Sequence, residues 1–206
     1  MKRLLFIVLI ALTAGCSKDS DKSKDDVEVP PIEYRQGKAK IMPLAAGATW
    51  VYQIEALDTT QNILRPIKVD SFMILRDTLI QNVRWYEFDG LGPDRGFAIN
   101  WDDGLWMVRP PDSPFIFVKY PAVIGDTFTS VIGKVETKNR VVATDLEVTV
   151  PAGVFHCYKY EQKVGPIPMT TNFYFAPGAG LIKMEIMDRN GARPMGQAYL
   201  VAMKAR

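Results

Sequence analysis

Glycine and proline set the limits on what this chain can build. Fifteen Gly and fourteen Pro recur roughly every 10 to 20 residues, which leaves little room for a long helix. Between them, alternation at period two is frequent, the mark of strands with one buried face. Trp50, Tyr52, Ile54 and Ala56 alternate with Val51, Gln53, Glu55 and Leu57. Leu146, Val148 and Val150 alternate with Glu147 and Thr149, and Ile182, Met184 and Ile186 with Lys183 and Glu185. Phe97, Ile99 and Trp101 make another face, as do Phe115 and Phe117. Asp102-Asp103-Gly104 reads as a hairpin turn, because glycine takes the positive φ such turns need. Pro151-Ala152-Gly153 and Pro177-Gly178 read as turns for the same reasons. The segment from Ile67 to Asp89 has no Gly or Pro, so a helix fits, although Ile67, Val69, Ile74, Ile80 and Val83 favour strand. The expected fold class is all-β, with about eleven or twelve antiparallel strands in a curled sheet, half-barrel or sandwich.

Two similar halves are also suggested. Pro43 to Trp50 and Pro121 to Phe128 share Pro-x-x-x-Gly-x-Thr-aromatic, 78 residues apart. Gly104-Leu105-Trp106 has a counterpart in Gly180-Leu181-Ile182, and Trp85-Tyr86-Glu87 a looser one in Tyr158 to Glu161. Two consecutive units of six strands would explain this, each too small to close alone. Chance likeness between Pro–Gly turns that precede strands is the competing account.

The N-terminus carries an address. Lys2 and Arg3 precede an unbroken apolar run from Leu4 to Leu12. Nine residues in a helix span only about 14 Å, too short for a bilayer core of roughly 30 Å, so the run is a secretory signal. Its end, Leu12-Thr13-Ala14-Gly15-Cys16, resembles the lipobox of bacterial lipoproteins, although Thr13 stands where Leu is commoner. The resemblance implies cleavage before Cys16 and lipid attachment to its thiol; an ordinary signal with an incidental cysteine is the alternative. Residues 1–15 are thus expected to be the signal, 16–40 the lipidated cysteine and a tether, and 41–206 a single β domain. Ser17 to Asp26 contains no apolar residue and is expected to be a solvated stalk. Lys18-Asp19 resembles the export tag of Bacteroidota-type surface lipoproteins, though only one acid follows the lysine there. This points to the outer membrane and the cell surface, with the periplasmic face as the alternative. Cleavage would leave 191 residues with 23 basic and 23 acidic side chains, no electrostatic footprint for nucleic acid.

Within the domain, Val150-Pro151-Ala152-Gly153-Val154-Phe155-His156-Cys157-Tyr158 is followed by Tyr174-Phe175-Ala176-Pro177-Gly178-Ala179-Gly180-Leu181-Ile182-Lys183. This combination is similar to one found in β-rich bacterial lipoproteins. The resemblance implies the fold and brings no catalytic residue.

Chemistry is sparse. His156 is the one histidine, no Gly-x-Ser-x-Gly elbow is present, and Cys157 adjoins His156, so on a strand the two point to opposite faces. His156 is expected to be a partly buried strand residue, and Cys157 a buried small hydrophobe with no disulfide partner. One histidine and one free thiol cannot build a structural zinc site. Asp89, Asp94, Asp102 and Asp103 lie near turns without the ordered spacing of a calcium loop. Neither Gly90 to Gly96 nor Gly133-Lys134 completes a phosphate-binding loop. No metal and no cofactor are expected. The aromatic residues are the candidates for recognition: Trp101 and Trp106 beside the Asp102–Gly104 turn, and Trp85-Tyr86, with core packing as the competing role. The expected function is a lipid-anchored, non-enzymatic binding or accessory module of the envelope, with a glycan or protein partner. A carrier of a lipid or other apolar ligand is the alternative, and a carbohydrate- or peptidoglycan-active enzyme the third reading.

Overall fold

The computed structural model describes residues 40–90, 95–110, 112–165 and 169–204. The signal, Cys16, nearly all of the tether and Asp94 lie outside the described residues. Twelve strands follow one another: β1 (Thr49–Asp58), β2 (Ile63–Ile80), β3 (Val83–Asp89), β4 (Gly96–Trp101), β5 (Gly104–Val108) and β6 (Phe115–Lys119), then β7 (Thr127–Ile132), β8 (Val135–Val150), β9 (Gly153–Val164), β10 (Thr170–Ala176), β11 (Gly180–Met187) and β12 (Pro194–Lys204). They form one antiparallel sheet in the order β6-β5-β4-β3-β2-β1-β12-β11-β10-β9-β8-β7. The sheet curls until β6 and β7 face each other, giving a nearly closed barrel.

Tight turns generate this topology. Trp101 pairs with Gly104 across Asp102-Asp103, and Val150 with Gly153 across Pro151-Ala152. The segment left open between helix and strand is two strands. Its break falls at Gln81-Asn82, whose φ angles of 50° and 61° make a type I′ turn. Glutamine rarely takes that first position, so the turn had no clear sequence signal.

The two halves are visible in strand rank. β1 and β7 both begin at the threonine of the shared motif, Thr49 and Thr127. β5 and β11 begin at Gly104 and Gly180, while Trp85–Glu87 and Tyr158–Glu161 fall in β3 and β9. Each matched pair holds the same rank in its own six-stranded meander, and β1 joins β12 at the centre of the sheet.

The inward faces fill the interior with Trp50, Tyr52, Phe72, Phe88, Tyr160 and Phe175, and Ile41 and Met42 are buried with them. Polar ends of the large rings are satisfied on main-chain carbonyls: Trp50 Nε1 donates to Ala179 O at 2.7 Å and Tyr52 OH to Leu181 O at 2.9 Å. A second, smaller core of Trp85, Ile99, Trp101 and Val108 lies on the other face of β3–β5, since neighbouring strand residues point opposite ways.

Candidate functional site

The sheet has two terminal strands, β6 and β7, and no hydrogen-bonded ladder joins them. Their seam is fastened near the β6–β7 loop. Tyr160 OH, reaching across from β9, donates to Lys119 O at 2.7 Å. Lys119 Nζ lies 2.9 Å from Asp126 Oδ2, which also accepts from Val123 N at 3.2 Å. The hydrogen bond from Lys119, followed by that from the Val123 amide, holds the Asp126 carboxyl below the ordinary aspartate range. Gly125 N then donates to Val141 O at 2.9 Å, tying the loop to β8.

Farther along, the seam opens into a cleft of about 290 Å³ lined by Trp106, Pro114, Phe115, Ile116, Thr129, Ser130 and Val131 among others. Apolar walls meet a short polar chain here. Ser130 Oγ donates to Ile116 O and accepts from Asn139 Nδ2 at 3.4 Å, and Asn139 Oδ1 accepts from Gln162 Nε2 at 3.0 Å. Thr137 Oγ1 donates to Ser130 O at 3.2 Å. Ser130, Thr137, Asn139 and Gln162 are all buried, so this network stiffens the cleft from behind.

Of the four aromatic candidates, Trp106 alone lines the cleft. It is half-buried, its Nε1 donates to Asp103 Oδ1 at 2.7 Å, and its ring lies against Trp101 with centroids 4.8 Å apart. Trp101 and Trp85 are only 5% and 2% exposed and pack edge to face in the small core. The expectation of an exposed Trp101 is therefore corrected: its ring is spent on packing. Tyr86 is half-buried against the main core, on the opposite face from Trp85, so the adjacent pair forms no common platform. Ser130, Ile116 and Thr129 carried no signal in the sequence, because only closure of the sheet brings β6 beside β7.

His156 is exposed, not partly buried, and its Nδ1 sits 2.7 Å from Asp145 Oδ1. Cys157 is a buried free thiol, and burial pushes it up to about 12, away from nucleophilic use. Another polar concentration lies on the outer face of β9–β11. Tyr174 OH donates to Glu185 Oε2 at 2.7 Å, Lys183 Nζ stands 2.7 Å from Glu185 Oε1, and Lys159 Nζ lies 5.4 Å from the Tyr174 ring centre. These charges satisfy one another. Among the described residues no group of three or more His, Cys, Asp or Glu converges to hold a metal ion.

This geometry defines a class: an antiparallel, twelve-stranded, nearly closed barrel with a filled interior and a cleft at its seam. The DUF3108-like family profile matches residues 125–199, from the last loop before β7 into β12. Two solved structures share the fold. One, a candidate lipoprotein of Parabacteroides distasonis, is 13% identical with a TM-score of 0.51, over 82% of this chain and 100% of that one. The other, a candidate exported protein of Bacteroides fragilis described as having a YmcC-like fold, is 16% identical with a TM-score of 0.52, over 81% of this chain and 99% of that one. No curated protein matches the sequence.

Proposed function

We propose that this protein is a lipid-anchored, non-enzymatic recognition module of the bacterial envelope, tethered through Cys16 and engaging a protein partner at the β6–β7 seam. The observation that carries the reading is the meeting of the sheet's two unladdered edges at an apolar cleft with Trp106 in its wall. Strand edges present main-chain donors and acceptors that a partner's extended segment can use. A cleft of about 290 Å³ receives one bulky apolar side chain, the geometry of an interface anchor. The lipobox-like signal supports the anchor, and a likeness to candidate lipoprotein and exported-protein folds accords with it. The filled interior weighs against carriage of a lipid chain inside the barrel. The outer membrane is the expected location, with the domain facing outward.

The test is site-specific photocrosslinking from Ser113, at the rim of the cleft, in living cells. A product with an envelope protein is expected, and it disappears in Thr129→Arg, which fills the cleft from an exposed position without touching the core. A product that survives both Thr129→Arg and Trp106→Ala sinks the seam as the contact. A co-purifying adduct of lipid-like mass in native mass spectrometry would favour the carrier instead. Cys16→Ser is expected to release the protein from membranes.

A further inference from the structure

The twelve strands run up and down, so alternate connections share an end of the barrel. The turns β2–β3, β4–β5, β8–β9 and β10–β11 therefore lie at one end with the β6–β7 loop and the close of β12. The chain also enters there: Gly178 N, in the β10–β11 turn, donates to Lys40 O at 3.0 Å, and Gly180 N to Ile41 O at 3.1 Å. Residues 41–48 then cross this end, with Asn100 Nδ2 donating to Met42 O at 2.8 Å and Gly47 N to Ile74 O at 2.8 Å.

The same end carries bare apolar side chains. Leu79 beside the β2–β3 turn is 68% exposed, Val123 and Ile124 in the β6–β7 loop 67% and 66%, and Val154 after the β8–β9 turn 58%. Met203 near the end of β12 is exposed as well. Elsewhere among the described residues Val69, on the long β2 strand, is 61% exposed and Val131, on β7, 53%, but neither adjoins a second side chain as bare, as Val123 and Ile124 do. No fold requirement places Val123 and Ile124 in the open: the loop is held by Asp126, Gly125 and Lys119 without their side chains.

The geometry points to a membrane-facing end: the rim formed by Leu79, Val123, Ile124 and Val154 rests on the lipid bilayer that holds the anchor. This rests on the lipid-anchor reading for its biological setting. The 23 residues between Cys16 and Lys40 could span up to about 80 Å if extended, so the tether alone does not press the domain onto the surface. It does keep the rim at high effective concentration near lipid, where weak contacts suffice. Each branched side chain withdrawn from water strengthens association by roughly tenfold. Rim down places the opposite end, where the β5–β6 loop borders the cleft, away from the bilayer.

The test separates the rim from the anchor. The chain from Cys16 onward is coupled through that thiol to a maleimide lipid in phosphatidylcholine vesicles containing phosphatidylglycerol; the Cys157 thiol is buried and stays unreacted. Hydrogen exchange is then compared with that of the uncoupled protein. Amides at 79–82, 120, 122–126 and 152–154 are expected to exchange severalfold more slowly on vesicles, with no change at 59–62 or 188–193. Val123→Asp/Ile124→Asp is expected to abolish that protection while leaving the melting temperature unchanged. Equal exchange at both ends, or protection that survives the double variant, overturns the proposal. Because the coupling is chemical, the outcome does not depend on whether cells acylate Cys16, which the Cys16→Ser fractionation decides.

Discussion

The bond from Tyr160 to Lys119 is the most direct test of how the barrel closes. Tyr160→Phe keeps the ring, which packs against Tyr158, Phe128 and Phe175, and deletes only the hydroxyl that donates to Lys119 O. A net hydrogen bond contributes about 1 kcal/mol, and leaving a part-buried carbonyl without its donor adds to that, so the expected loss is about 1–2 kcal/mol. For a domain of this size the melting temperature falls by about 2–4 °C per kcal/mol, a total of about 2–8 °C. Tyr52→Phe is the control: it deletes the same kind of hydroxyl-to-carbonyl bond, to Leu181 O, far from the seam. The two variants should lose comparable stability. Hydrogen exchange should separate them, with β6 and residues 120–126 opening faster in Tyr160→Phe alone. If both variants loosen β6 equally, or Tyr160→Phe loosens nothing locally, the bond does not fasten the seam and the account of closure is wrong.

Gly104 has φ +145°, and a Cβ there would stand 1.9 Å from Val118 O, so Gly104→Ala should cost about 3 kcal/mol or more in urea denaturation. Gly125, at φ +93° with nothing within 4 Å of such a Cβ, should lose only about 1–2 kcal/mol as alanine; equal losses would refute the steric argument. Trp101 Nε1 is buried without a hydrogen-bond partner among the described residues, so Trp101→Phe should cost less than a typical large-to-small core change, and Trp101→Ala about 3–5 kcal/mol. Burial pushes Glu185 up, but hydrogen bonds from Lys183 and Tyr174 and the charges of Lys183 and Lys159 outweigh it and hold the carboxyl below its ordinary range. A lowered folded pKa stabilises above the unfolded value of about 4.3 and is lost as pH falls through the folded one, so Glu185→Gln should flatten part of the stability loss below about pH 4. An unchanged acid limb in denaturation midpoints would count against that pairing.

Much of the fold was legible because its determinants are local. Period-two alternation needs only neighbouring residues, and Asp102-Asp103-Gly104 and Pro151-Ala152-Gly153 declare their turns by backbone chemistry. The Gln81-Asn82 turn was not legible, since its positive φ angles are imposed by flanking strands that already pair. His156 shows the same limit: a strand position has two faces, and which one meets solvent depends on the bend of β8 against β9, where the register shifts between Val141 and Leu146.

The sequence by itself determined the strand content and the hairpins at Asp102–Gly104 and Pro151–Gly153, because each is written in contiguous residues. Only the tertiary structure decided that Trp101 is packed while Trp106 lines a cleft, that Ser130 stands against Ile116, and that Val123 and Ile124 share an end with Lys40. The physical reason is closure. Curling a twelve-stranded sheet brings β6 against β7, strands that stand at opposite ends of its order, and no local propensity records which side chains meet there.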